Sequence, residues 1–291
     1  MKVERFGIGD VIIYAVFILF SLTIVLPFWH LLGLSFSPSH VAVRGGLVLW
    51  PFDFTTDNYM RVFESRFIWI GYRNTLIRTV FGTVIQLFFT ALGGYALSKK
   101  YFPHRTFWTF LIVFTMFFSG GLIPTYMLVR DLGLINTYSA MILPGLISAF
   151  NLLIMRNYFM SMPEEVEESC MVDGASRFRI LFQIVLPLAK PILATVGLWL
   201  AVAHWNAWFD VLLYITDENM FVLQIILRRI LITGTQQMLE QTGLIFEQGS
   251  VASPDGVRAA AIFVATVPIL CVYPFIQKYF VQGIMVGSLK G

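Results

Sequence analysis

The residues from Val11 to Phe36 read VIIYAVFILFSLTIVLPFWHLLGLSF, and this run decides the fold class. It contains no Asp, Glu, Lys or Arg, and it is longer than the roughly 20 residues that cross a bilayer as an α-helix. The run also exceeds the apolar part of a secretory signal and has no A-x-A cleavage pattern. It therefore predicts a first membrane span that is retained.

The composition extends this interpretation to the whole chain. Hydrophobic residues make up 57% of the 291 residues and charged residues only 13%, about half of the charged fraction of a soluble domain. Runs this uniformly apolar fit helices rather than the alternating strands of a membrane barrel. We expect an all-α polytopic membrane protein, with one transmembrane domain over residues 1–291. Its six predicted spans cover about 11–36, 71–97, 107–129, 138–159, 190–214 and 259–280.

The basic residues of the short loops predict the orientation, because Lys and Arg accumulate on the cytoplasmic side. They place both termini and the segment 161–189 in the cytoplasm, and they leave a long external loop at 215–258. The basic residues on the predicted cytoplasmic side are Lys2, Arg5, Lys99, Lys100, His104, Arg105, Arg177, Arg179, Lys190, Lys278 and Lys290.

Several classes of function are excluded by what the chain lacks. The net charge of +3 is small and dispersed, so we expect no nucleic-acid partner. Cys170 and Cys271 fit small apolar residues, and the four histidines show no metal-ligand spacing. The G-x-x-x-x-G-K-[ST] loop is absent, so we expect no ATP phosphates to be held by this chain in the P-loop manner.

The segment SMPEEVEESCMVDGASRFRILFQIVLP, residues 161–187, differs from the rest of the chain. Ser161 and Glu164 form a capping-box pattern that predicts a short helix with carboxylates in its first turns. Gly174 permits a sharp turn, and a second amphipathic helix ends near Pro187. The segment predicts a helix–turn–helix on the cytoplasmic face of the membrane.

Two interpretations of this helix–turn–helix are open. A helix that merely lies among lipid headgroups usually carries Lys and Arg on its polar face. The first helix here is acidic instead, which favours docking against a basic groove of a partner protein. Its carboxylates are Glu164, Glu165, Glu167 and Glu168.

The spacing Glu168-Ser169-Cys170, three residues, Gly174, nine residues, Ile184-x-Leu186-Pro187 resembles the EAA loop of ATP-binding cassette importer permeases. Ser169 and Cys170 replace the two alanines of that motif, and both are small. The resemblance implies that this segment couples the chain to an ATPase. The residues to which we assign coupling are Glu164, Glu167, Glu168, Ser169, Cys170, Asp173, Gly174, Ala175, Ile184, Leu186 and Pro187.

The resemblance covers essentially the whole chain and is nearest to the smaller permease subunit of maltose-type sugar importers. The ending YFVQGIMVGSLKG, residues 279–291, is similar to permeases for complex oligosaccharides and uronate-containing saccharides. The resemblance implies carbohydrate import by alternating access in the bacterial cytoplasmic (inner) membrane. The implied partners are membrane lipid, a second permease subunit, an extracytoplasmic solute-binding protein and two ATPase subunits. The chain itself would be no enzyme and bind no cofactor, because ATP and Mg would bind the ATPases.

Polar and aromatic residues within the spans are candidates for the substrate pathway. Aromatic faces hold sugar rings, although Trp is also enriched at membrane interfaces. Polar groups within spans normally face protein or water. Arg78 either attracts an acidic sugar or pairs within the helix bundle. The candidate pathway residues are Asn74, Arg78, Asn151, Trp199, Trp205, Asn206 and Trp208.

Two alternative functions predict different features of the sequence. An ion-coupled secondary transporter predicts internal repeats, interrupted spans and buried acidic residues. A membrane-embedded enzyme needs convergent catalytic groups, and in the sequence His204 and Asp210 look too isolated for that. The loop 215–258 fits a solvated connection, while the family resemblance implies that it reaches toward a solute-binding protein.

Overall fold

The computed structural model describes residues 7–51, 53–232, 244 and 252–288, and every regular element within these residues is a helix. The remaining parts of the predicted external loop, within 233–251, and the last three residues of the tail lie outside the described residues. The first half contains α1 (Ile8–Ser35), α2 (Ser39–Arg44), α3 (Asp57–Glu64), α4 (Arg66–Ser98), α5 (Arg105–Phe117), α6 (Leu122–Asp131), α7 (Tyr138–Ile142) and α8 (Ala149–Met160).

The second half begins with short helices and continues with longer ones. The π-helical turn Leu181–Val185 connects the short helices Arg177–Ile180 and Leu186–Leu188. The helices are α9 (Glu165–Val172), α10 (Arg177–Ile180), α11 (Leu186–Leu188), α12 (Lys190–Asn206), α13 (Phe209–Tyr214), α14 (Leu223–Ile232) and α15 (Pro254–Ser288).

Among the residues that the structure describes, three helices are long and apolar enough to cross a membrane without interruption: α1, α4 and α15. Three further candidate spans are pairs of helices that bend by 112°, 57° and 81°. The 112° bend lies at the break 118–121, and Gly121 at the end of this break has a φ of 88°, which glycine adopts without strain. The total reaches six if each bent pair is one span. Counted in this way, the number agrees with the six predicted spans, and the finding that the sequence did not predict is the bend within three of them.

The fifth predicted span, 190–214, differs most from the structure. Helix α12 ends at Asn206, and α13 is a separate helix from Phe209. The bent pair that contains α12 is formed with the preceding helical stretch Arg177–Leu188, at an angle of 81°, and not with α13. Pro191, at the second position of α12, fits a helix start there, because the first turn of a helix does not need the N–H that proline lacks.

The loop 215–258 is less solvated than the simple interpretation of its sequence suggested. Helix α14 lies within it, and the Leu223 backbone N–H donates to Thr75 Oγ1 at 2.9 Å. Polar neighbours hid the apolar spacing of this short helix in the sequence. Its buried side chains are Leu223, Ile225, Ile226 and Ile230.

Residues Met1–Trp69 and Ile226–Val267 form one compact unit, in which Asn58 is fully buried. Its Nδ2 donates to the carbonyls of Ser35 at 3.0 Å and Ser37 at 2.9 Å. Its Oδ1 accepts from the Ser253 backbone N–H at 3.2 Å. A Cβ atom on Gly256 would lie 2.5 Å from Asn58 Nδ2. One amide thus ties the end of α1 to the start of α15.

Residues Ile70–Ile225 and Pro268–Gly291 form the second unit. Its buried cluster takes side chains from α4, α8, α12 and the segment 161–189, so this segment packs into the unit rather than lying beside it. The cluster consists of Ala91, Tyr95, Met155, Phe159, Ile180, Leu181, Val185, Ala189, Ile192, Val196 and Leu200.

We expect Asn58→Ala to lower the free energy of unfolding by about 3 kcal/mol, because it removes the partners of three buried backbone groups. Thermal unfolding of the purified transporter measures this. Asn157→Ala is the matched control, since Asn157 is exposed and should change stability by less than about 0.5 kcal/mol. Equal melting temperatures for the two variants would contradict the prediction.

Candidate functional site

The turn at Gly174 is a Schellman motif that ends α9. The Ala175 N–H donates to the Cys170 carbonyl at 3.0 Å, and the Gly174 N–H donates to the Met171 carbonyl at 3.0 Å. Gly174 has a φ of 78°, which a residue with a Cβ adopts only under strain. Nothing lies within 4 Å of a Cβ built there. The glycine is therefore required by the backbone conformation and not by lack of space.

The start of α9 differs from the predicted capping box. Helix α9 begins at Glu165, and Glu164 makes no capping bond. The Ser161 hydroxyl donates to the Tyr158 carbonyl at 2.8 Å instead. Glu164 pairs with Lys100 at 2.8 Å. The two side chains of the predicted box thus each have another partner.

Lys100 also acts on the titration of Glu164. Its hydrogen bond, and then its charge, lower the pKa of the Glu164 carboxyl below the ordinary value. The contribution of this pair to the stability of the fold is fully present above the ordinary pKa of a Glu carboxyl. It is lost as the pH falls through the lowered pKa of Glu164. Because both side chains are exposed, solvent screens the pair, and it contributes little to stability.

Glu167 lies on the inner face of α9, whereas the sequence placed it among the exposed carboxylates. It is 7% exposed, forms an ion pair with Lys99, and accepts a hydrogen bond from the Tyr95 hydroxyl at 3.1 Å. Lys99 Nζ also lies 4.5 Å from the centre of the Tyr95 ring. The carboxylate therefore fastens α9 to the end of α4 and is unavailable to a partner protein.

The two residues that replace the motif alanines face different ways. Ser169 is exposed, and its hydroxyl donates to the Val166 carbonyl at 3.1 Å. Cys170 packs against the buried cluster, as do Ala175 and Leu186. The substitutions thus fit the α9 surface on one side and the core on the other. Among the other coupling residues, Ile184 is half-buried, while Glu168, Asp173 and Pro187 are exposed.

Apolar side chains flank the Gly174 turn and face outward. Val172 is 88% exposed and Phe178 is 70% exposed. Together with Met171 they form what we call the apolar tip, residues 171, 172 and 178. Exposed apolar side chains outside the predicted membrane spans are candidates for contact with a partner protein. The tip lies on the segment whose inner face carries Glu167 and Cys170.

The pathway candidate Arg78 pairs within the helix bundle. Its guanidinium forms an ion pair with Asp210 on α13, and it donates to His204 Nδ1 at 3.3 Å. It also donates to the Met141 carbonyl at 3.2 Å. Arg78 is buried, and its charge is met by a carboxylate. Of the two interpretations left open by the sequence, pairing is the one that the structure shows.

His204 and Asp210 were judged too isolated in the sequence, and the structure corrects this by bringing both to Arg78. His204 Nε2 is buried without a hydrogen-bond partner among the described residues. A Cβ on Gly82 would lie 2.5 Å from that atom, so the ring fills the space that the glycine leaves. The signal in the sequence was a pair of opposite charges, Arg78 and Asp210, in two predicted spans, and it does not by itself show that the two side chains meet.

The other pathway candidates divide by burial. Asn74 is buried and structural, since its Nδ2 donates to the carbonyls of Asn219 and Phe221 and its Oδ1 accepts from Tyr138. Asn151 and Trp205 are also buried. Asn206 is exposed, and Trp199 and Trp208 are half-buried. The structure therefore leaves accessible surface mainly on these three residues.

Comparison with known proteins places the chain in a family. A family model described as the inner membrane component of binding-protein-dependent transport systems matches residues 68–286. The chain belongs to this family. Membership makes it a membrane transport component rather than an enzyme, and it does not favour the ion-coupled carrier. Interrupted spans, which were expected to mark such a carrier, occur here in a binding-protein-dependent transport component and thus do not separate the two classes.

Individual relatives extend over nearly the whole chain. The polygalacturonan/rhamnogalacturonan transport system permease YtcP of Bacillus subtilis is 40% identical, over 97% of this chain and 98% of that protein. The arabinooligosaccharide permease AraQ of Halalkalibacterium halodurans is 29% identical, covering 92% and 91%. A crystal structure of a bacterial importer of the acidic polysaccharide alginate is similar with a TM-score of 0.88 and 33% identity, covering 95% and 99%.

We expect Asp210→Asn to destabilise this inner membrane component by about 3 kcal/mol. It leaves the buried Arg78 guanidinium without a counter-charge, and breaking a buried pair costs about 3–5 kcal/mol. The lower end applies because 27% of the Asp210 side chain is exposed. The change in melting temperature of the purified transporter measures it.

Asp131→Asn is the matched control, because it breaks the exposed pair between Arg130 and Asp131 and should cost less than about 1 kcal/mol. The double variant Arg78→Met with Asp210→Asn should recover part of the loss. If Asp210→Asn and Asp131→Asn have the same melting temperature, the ion pair of Arg78 with Asp210 does not stabilise the fold.

Proposed function

We propose that this chain is the permease subunit of an ATP-driven importer of acidic oligosaccharides, working by alternating access. The observation that carries the proposal is the apolar tip of residues 171, 172 and 178, exposed on a segment whose other face is fixed in the protein core. Such a segment suits a docking contact that transmits movement. The spacing of Glu168, Gly174 and Pro187 supports an ATPase as the docked partner.

Movement at the tip would pass to the spans through two kinds of contact. The ion pair of Glu167 with Lys99 connects α9 to the end of α4. Ile180, Leu181 and Val185 are buried in the cluster that α4, α8 and α12 also enter. Because protein interiors are close-packed and transmit strain, a displacement of the segment would shift these helices together.

The proposed assembly contains a second permease subunit, two ATPase subunits and an extracytoplasmic solute-binding protein. ATP and Mg would bind to the ATPases, and this chain would hold no cofactor. The asymmetry of basic residues supports cytoplasmic termini and a cytoplasmic position for the segment 161–189. Opposite to it, the loop 215–258 would face the solute-binding protein.

Relatives support an acidic saccharide as the cargo. Both the polygalacturonan/rhamnogalacturonan permease and the alginate importer are named for uronate-containing polysaccharides. Arg78 does not serve a substrate carboxylate in this conformation, because Asp210 already neutralises it. We assign sugar contact in this chain to Trp199, Asn206 and Trp208, and we assign recognition of the carboxylate to the partner chains.

To test the docking, Gly174→Leu is introduced and the transporter is purified with its ATPase. We expect substrate-stimulated ATP hydrolysis to fall at least about tenfold, because strain at a positive φ, about 1–2 kcal/mol per residue, distorts the turn that presents the tip. Phe178→Glu keeps the backbone and should weaken ATPase retention during purification.

Gly120→Leu is the matched control for Gly174→Leu. Gly120 also has open space around its Cα, but it does not have a positive φ. The control should retain ATPase binding and stimulated hydrolysis. Unchanged hydrolysis in both Gly174→Leu and Phe178→Glu would disprove the docking role.

The cargo is tested separately with the complete transporter in proteoliposomes. We expect uptake of a labelled uronate oligosaccharide to exceed uptake of a neutral oligosaccharide of equal length by at least about tenfold. Trp208→Ala should reduce that uptake while leaving ATPase binding intact. Equal uptake of both sugars would disprove the proposal that the transported saccharide is acidic, and it would leave the proposal of ATPase docking unaffected.

A further inference from the structure

Two arginines line one cleft between α5 and α8. The cleft has a volume of about 300 Å³ and is lined by Arg105, Thr106, Thr109, Phe110, Val113 and Arg156. Arg105 is the first residue of α5, and Arg156 lies in the last turns of α8. Both side chains are half-buried. Two positive charges thus face the same small space.

The end of α4 holds both guanidinium groups in place. Arg156 Nε donates to the Leu97 carbonyl at 3.2 Å, and Arg105 Nη1 donates to the Ser98 carbonyl at 3.5 Å. The last carbonyls of a helix lack partners within the helix and carry partial negative charge. They orient the two arginines, but their partial charge cannot neutralise two full ones.

Within the described residues, the remaining donors of these arginines have no carboxylate as a hydrogen-bond partner. In the part of the chain that the structure describes, neither Arg105 nor Arg156 forms an ion pair with Asp or Glu. Each guanidinium has five N–H donors, and a single bond to protein is found for each within that part. Like charges held close together in a half-buried position are unfavourable unless an anion joins them.

The shape of the cleft indicates what kind of anion fits. Phe110 and Val113 line it five and eight residues beyond Arg105, about 8 and 12 Å further along α5 at 1.5 Å per residue. Phe110 is 66% exposed. The cleft therefore joins a cationic end to an apolar side, with the Thr106 and Thr109 side chains between them. A free inorganic anion would use only the first of these features.

We propose that this cleft binds an anionic phospholipid, with the headgroup phosphate between Arg105 and Arg156 and an acyl chain against Phe110 and Val113. Arginine suits this role because its planar group donates two parallel hydrogen bonds to phosphate. The basic residues of the loop 99–105 predict that this end of α5 lies at the cytoplasmic surface, where anionic headgroups attract such clusters.

The proposal is tested on the complete transporter by native mass spectrometry in detergent, with phosphatidylglycerol or phosphatidylcholine added. We expect retained phosphatidylglycerol in the wild-type protein and weaker retention of phosphatidylcholine. Arg105→Gln and Arg156→Gln should each weaken the apparent affinity for phosphatidylglycerol about fivefold, and the double variant about 25-fold, since each charge contributes about 1 kcal/mol.

Two further variants separate charge loss from misfolding. Arg156→Lys keeps the charge and should bind phosphatidylglycerol within about threefold of the wild-type affinity. Lys190→Gln removes a charge from an exposed position on the same predicted side of the membrane and should change it by less than twofold. Intact assembly of each variant is confirmed in the same spectra.

Several results would overturn the proposal. Unchanged phosphatidylglycerol binding in the double variant would mean that the arginines do not hold the lipid. Displacement of the lipid by an equal concentration of inorganic phosphate would show a site for free anions. Loss of the second permease subunit from the double variant, with no lipid bound in the wild-type complex, would show that the partner's carboxylates fill the cleft.

Discussion

The ion pair between Lys99 and Glu167 is the contact on which the proposed coupling depends. It joins α9 to the end of α4 at a position where little water reaches either charge. Breaking such a pair leaves a buried charge without compensation, which costs far more than breaking an exposed pair. The neighbouring pair of Lys100 with Glu164 has the same chemistry but is exposed. The inner pair therefore holds the segment, and the outer pair contributes little.

Helix α4 carries one buried polar contact in its first half and another at its C-terminal end. Arg78 pairs with Asp210 in the first half of the helix, and Lys99 pairs with Glu167 just beyond its C-terminal end. Arg78 and Lys99 are 21 positions apart, which corresponds to about 31 Å of helix, close to the thickness of the hydrocarbon core of a bilayer. The carbonyls at its C-terminal end also hold the arginines of the proposed lipid cleft. A movement of α4 would thus act on both ion pairs and on the proposed lipid cleft.

The sequence predicted the positions of most helices but not their breaks. Long apolar runs give a strong signal for a span, whereas a bend depends on a few backbone angles and on the packing beside it. Gly121 and Pro191 were visible in the sequence, yet glycine and proline also occur within continuous membrane helices. The sequence did not predict the short helix α14. Its apolar side chains are buried only because other parts of the chain pack against them, and this packing is a tertiary property.

The sequence by itself determined the all-helical membrane class and the position of the turn at Gly174, because length of apolar run and backbone freedom are local properties. It also carried the spacing from Glu168 to Pro187 that led to the ATPase-coupling proposal. Only the tertiary structure decided that Glu167 faces inward and that His204 and Asp210 meet at Arg78. The partner of a charge depends on which helices pack together, and residues more than 100 positions apart leave no local pattern from which their contact can be inferred.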